Sequence, residues 1–97
     1  MIKHVVAFRL NEGVSAQQED AMLQAFRALE GQIPELHSFT IGRNLSDRDQ
    51  TYTHCLVAEM DDMDAVGRYL VHPAHKAAVD DHLAPIMEHR IVVDYTF

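Results

Sequence analysis

Ile2-Lys3-His4-Val5-Val6-Ala7-Phe8-Arg9-Leu10 alternates with the period of a β-strand, and both of its phases carry apolar side chains. Ile2, His4, Val6, Phe8 and Leu10 share one face; Lys3, Val5, Ala7 and Arg9 share the other. Such a strand needs cover on both sides. One layer of helices from the same chain can supply one cover, and the second has to come from elsewhere.

Working outward, Asn11-Glu12-Gly13 reads as a turn, and Ser15 with Gln18 three residues on forms a capping box that opens a helix at Ala16. Met22, Phe26 and Leu29 recur at helical spacing, and Gly31 serves as a C-cap, so the helix runs to about Glu30. Pro34 separates it from a second strand, Leu36 to Arg43, whose modest apolarity suits a sheet edge. After a polar loop, Tyr52 to Met60 alternates again, with Tyr52, His54, Leu56 and Ala58 on one face. Asp61 or Asp62 caps a short helix in which Val66, Tyr69 and Leu70 share a side. Pro73 stops that helix and, with His72 as cap, starts another. Its inward stripe is His75, Ala78, Val79, His82 and Leu83, and Pro85 ends it. Ile91 to Phe97, β-branched and aromatic, is the last strand.

The order βαββαβ predicts one α+β, ferredoxin-like domain over residues 1–97: a four-stranded antiparallel sheet with helices on one face and the first and third strands at its centre. The open face, carrying Val5, Ala7, Cys55, Val57 and Val92, is too apolar to meet water. A second copy packed sheet to sheet buries both open faces with one self-complementary patch, so a homodimer is expected.

Ninety-seven residues leave no room for a second domain, and 47% apolar with 24% charged residues is the composition of a soluble globular protein. A net charge of −7, with scattered Lys and Arg, argues against nucleic acid as a partner. No apolar run approaches the ~20 residues that cross a bilayer, and the N-terminus enters a strand at once, so a cytoplasmic protein without membrane contact or cleaved signal is expected. The lone Cys55 has no internal disulfide partner and reads as a core or interface residue. Seven histidines are the one compositional signal.

By strand phase, His4 and His54 both point beneath the helices, where the pairing of their strands makes them neighbours. His75 joins them from the first turn of the last helix and Tyr69 from the helix before. The helix start disfavours imidazolium at His75, so a lowered pKa and a neutral base at pH 7 are expected. A base beside a phenol suits removal of a proton next to a carbonyl. The structural alternatives weigh as much: buried histidines are commonly just satisfied, tyrosines pack, and His72 caps. His37, His82 and His89 read as surface or rim residues. His72 and His75 at i, i+3 do not make a zinc motif, and Asp61-Asp62-Asp64 lacks the glycine and distal glutamate of a calcium loop, so no metal is expected.

Several segments together resemble one family. Ile2-Lys3-His4-Val5-Val6, Gln32-Ile33-Pro34, Gly42-Arg43-Asn44, Tyr52-Thr53-His54, Tyr69-Leu70-Val71-His72-Pro73-Ala74-His75 and Val93-Asp94-Tyr95 are similar to the stress-responsive A/B barrel (Dabb) proteins, which are dimeric α+β barrels. A plant polyketide cyclase of that family closes a linear polyketide by intramolecular aldol condensation without a cofactor. The resemblance implies His75 as base and Tyr69 as its hydroxyl partner, with His4, His54 and Asp94 in the pocket and Asp94 orienting His75. It implies no cofactor and a small hydrophobic or polyketide-like ligand. The plant cyclase has two adjacent phenylalanines on its first helix where this chain has Met22-Leu23, so the substrate's shape is its own. The alternative is a non-catalytic dimer that binds a small ligand or serves a stress role. A mono-oxygenase of the related dimeric barrels is disfavoured, since that class relies on a tryptophan and none is present.

Overall fold

The computed structural model describes residues 1–97 and contains β1 (Ile2–Leu10), α1 (Ala16–Arg27), β2 (Ser38–Arg43), β3 (His54–Met60), α2 (Met63–Val71), α3 (Pro73–Ala78) and β4 (Met87–Thr96). The strands form one antiparallel sheet in the order β2-β3-β1-β4, so β1 and β3 are central. Burial along β1 alternates strictly, with Ile2, His4, Val6, Phe8 and Leu10 buried beneath the helices and the opposite phase half-buried. The two-sided reading of this strand holds because hydrogen bonds to both neighbours leave only its two faces to be covered.

The helix starts follow their caps. Ser15 Oγ accepts from the Gln18 amide at 3.1 Å while Gln18 Oε1 accepts from the Ser15 amide at 3.0 Å. Gly13, with φ +82°, turns the chain into that cap. Asp62 Oδ1 accepts from the Ala65 amide at 2.8 Å to open α2, whereas Asp61 instead pairs with His37. Pro73 occupies the first turn of α3, and His72 Nδ1 accepts from the Ala74 amide at 3.0 Å. Met22, Phe26, Leu29 and Ile33 then pack with Phe8, Leu56 and Met60 in a continuous core.

Four expectations shift. The first helix is α-helical only to Arg27 and tightens into a 3-10 turn over Ala28–Gly31; Gly31 takes no left-handed conformation, and the Ile33 amide bonds back to Leu29 as both side chains enter the core. The last helix is regular only to Ala78 and continues as a π-helical turn, Val79–Leu83, which carries Leu83 inward. β4 begins four residues before Ile91: Met87 to Arg90 lack β-branched side chains, and pairing with β1 holds them extended. Val92 lies opposite Val6, on the helix side of the sheet, so the outward residues of β4 are Ile91, Val93 and Tyr95. Those three are 43%, 50% and 47% exposed on an apolar sheet face with no helix over it. No helix is long and apolar enough to cross a membrane.

Candidate functional site

The register decides which histidines meet. His4 lies opposite Ala58, and His54 lies opposite Phe8, four residues further along β1. At about 3.3 Å per residue the two imidazoles are at opposite ends of the sheet, not neighbours. The expected cluster therefore divides into two.

At one end, a cavity of about 330 Å³ opens between the sheet and the α2–α3 pair. Val6, Phe26, Leu56 and Leu83 line its depth, and His4, Tyr69, His75 and Asp94 supply polar groups. The Pro73 break is what aims His75: a continuous helix would keep one axis, but restarting at His72 turns α3 so that the His75 ring lies 4.5 Å from that of Tyr69. Tyr69, 1% exposed, is also met edge-on by His4 at 5.7 Å between ring centroids.

The hydrogen bonds assign protons. His75 Nδ1 lies 3.1 Å from the Leu70 carbonyl oxygen, which can only accept, so Nδ1 carries the hydrogen and Nε2 keeps its lone pair. Burial lowers the His75 pKa below its ordinary 6.5, opposed by the Leu70 carbonyl and Asp80 and assisted by the charges of His4 and Arg90. The direction is the expected one, and desolvation is its largest cause. Burial also pushes the Tyr69 hydroxyl well above its usual value, so it stays protonated. His4 Nδ1 donates to Asp94 Oδ1 at 2.6 Å. Asp94 thus orients His4 and leaves His75 to the Leu70 carbonyl, because strand pairing sets Asp94 directly across from His4.

At the other end, His54 belongs to a second cavity, of about 510 Å³, lined by polar residues. Its Nε2 donates to Glu19 Oε2 at 2.6 Å, and its Nδ1 is 2.8 Å from the Thr53 hydroxyl. Glu19, from α1, also accepts from Arg43 on β2, and this guanidinium holds the carboxyl below the ordinary carboxylate range. Burial lowers the His54 pKa, with Glu19 opposing. Neutral His54, stacked on Phe8 at 5.3 Å, ties helix to sheet with both nitrogens occupied.

Sequence reading missed Glu19 and Arg43, whose pairing depends on how α1 crosses β2 and β3. It also missed Arg90, which lines the first cavity. Carrying the period-2 phase of Asp94 back through Val92 would have moved Val92 off the open face and placed Arg90 beside the pocket. The His, Asp and Glu side chains that line the two cavities are not grouped so that three or more could hold one metal ion, and His72 is turned onto its own helix start.

Comparison with known proteins supplies the context for this geometry. The stress-responsive A/B barrel domain model matches residues 2–97. An uncharacterised protein of Streptomyces coelicolor is 44% identical over 81 residues, covering 81% of this chain and 84% of that one. Olivetolic acid cyclase of Cannabis sativa is 21% identical over 97 residues, covering 98% and 95%. A dimeric ferredoxin-like protein of unknown function from Thermobifida fusca superimposes with a TM-score of 0.88 at 31% identity, covering 99% of this chain and 90% of that structure.

Proposed function

This chain belongs to the stress-responsive A/B barrel family, and from that premise we propose that it works as a homodimer whose His75–Tyr69 cavity closes a polyketide-like substrate by an aldol reaction, without a cofactor. The observation that carries this reading is the pairing of a free His75 Nε2 with a protonated phenol at an apolar cavity. With a substrate carbonyl at the Tyr69 hydroxyl, His75 Nε2 takes a proton from the adjacent carbon. The C–H electron pair moves into the enolate, whose oxygen accepts a hydrogen bond from Tyr69. The enolate carbon attacks a second carbonyl carbon of the same molecule, a C–C bond forms, and the proton on His75 passes to the new alkoxide. Proton and electrons balance within one substrate. His4, fixed by Asp94, is a polar wall of the same cavity. His54 has no part in this step.

The homodimer is proposed through the open sheet face, where Ile91, Val93 and Tyr95 need cover and where sheet-to-sheet packing about a two-fold axis supplies it. The dimeric description of the Thermobifida fusca relative supports this.

A ligand-binding dimer without turnover is the second reading. What favours it is that Tyr69 packs as a core residue and would be needed there for folding alone. His75→Ala separates the two. Under the catalytic reading it lowers product formation from a linear polyketide-type substrate by about 10²- to 10⁴-fold with the thermal midpoint little changed. Wild-type turnover in that variant would remove His75 as the base; no turnover in either protein would favour the binder.

A further inference from the structure

The chain has only eight cationic side chains of Lys and Arg against fifteen Asp and Glu, and most are engaged. Lys3, Arg9, Arg43 and Arg68 each hold a glutamate, and Arg27 donates to the Ile41 carbonyl. Three remain without a partner: Arg48, Lys76 and Arg90. Two of those three, Lys76 and Arg90, line the same cavity as His75 and Tyr69. In so acidic a chain, carboxylates are plentiful, yet none lies within ion-pairing distance of either. Asp80 lines the same cavity four residues after Lys76 without forming an ion pair with it, and Asp94, on Arg90's own strand face, is already taken by His4 at 2.6 Å.

Arg90 stands on β4 opposite Phe8, two residues from Val92, on the face that looks into the cavity. A guanidinium there sits beside an apolar interior whose volume, about 330 Å³, is at the small end of the ~300–1,000 Å³ typical of ligand sites. Its fork geometry matches a carboxylate in a way that a lysine's point charge does not. Resting on the cavity being the ligand site, we infer that Arg90 is its anion anchor and that the natural ligand is a compact apolar molecule bearing a carboxylate, in the substrate class of β-keto acids. The carboxylate pairs with Arg90, while Lys76 offsets the negative charge of Asp80 in the same lining, and the apolar body reaches inward past Tyr69 and His75.

The test uses octanoate and its neutral analogue octanamide, titrated into the isotopically labelled full chain and followed by NMR at the His75 and Tyr69 resonances. Octanoate is expected to bind about tenfold more tightly than octanamide, and added salt should narrow the gap. Arg90→Leu should bring the two within about twofold of each other, Arg90→Lys should keep part of the preference, and Arg48→Leu should leave it whole. Equal affinity in the wild type, or a preference that survives Arg90→Leu, would overturn the anion anchor while leaving the cavity as a ligand site. Failure of both ligands to move the His75 and Tyr69 resonances would overturn the anchor and the site together.

Discussion

The two ends of the sheet offer one contact in two settings. Each has a buried histidine on the helix-facing side, bonded to a carboxylate at 2.6 Å: His4 to Asp94, His54 to Glu19. The His54 ring itself is fully engaged within the protein, one nitrogen with Thr53 and the other with Glu19, which Arg43 also holds. Around His4 the neighbours keep something in reserve: His75 its Nε2, Arg90 its guanidinium, Tyr69 its protonated phenol. The polar end has the larger cavity, 510 against 330 Å³, yet it is the smaller one to which we assign the proposed chemistry. Spare hydrogen-bonding capacity beside apolar walls separates a site from a strut, and volume does not.

The sharpest way to break this contrast is to truncate one histidine at each end. His75→Ala is expected to abolish most turnover and spare the melt, as above. His54→Ala should do the reverse, costing about 2 kcal/mol in chemical denaturation, since Glu19 loses a donor and Phe8 its stacking partner, with turnover within about threefold of wild type. Comparable rate losses in both variants would merge the two ends into one site.

A smaller effect is expected at Asp94. Asp94→Asn should lower kcat about tenfold by loosening His4, while the acid limb of the pH–rate profile, set by His75, stays in place. An unchanged kcat would mean that Asp94 does not serve the site through His4.

The smallest effect is in the pH dependence of stability. His54 and His75 both have folded pKa values below their ordinary 6.5, so the unfolded chain takes up protons that the folded chain resists. The stability they contribute is whole above 6.5 and is lost as the pH falls through that value toward the lower folded ones. Glu19, lowered from 4.5, holds its contribution until more acidic pH. The thermal midpoint should fall by a few degrees between about pH 7.5 and about pH 5.5, and less steeply in His54→Gln. A midpoint that rose on acidification would contradict the neutral state of these rings.

Much of the fold was legible because its signals are local. The alternation of Ile2 to Leu10 marks a two-faced strand, Ser15 and Gln18 mark a helix start, and His72-Pro73 marks a break and restart; each depends on residues within one turn or one strand of each other. The grouping of the histidines was not legible. Phase along a strand tells which face His54 occupies, but not how far β3 slides against β1, and that register placed it beside Phe8 rather than His4.

By itself, then, the sequence determined the order of elements, the two-sided burial of β1, the family resemblance and the nomination of His75 with Tyr69. Only the tertiary structure decided that Asp94 serves His4, that His54 is bound to Glu19, and that Arg90 stands unpaired at the cavity. The physical reason is the range of the information: caps and periodicities are written in neighbouring residues, whereas strand register and helix crossing are set by the packing of the whole core, and it is these that bring distant charges together or keep them apart.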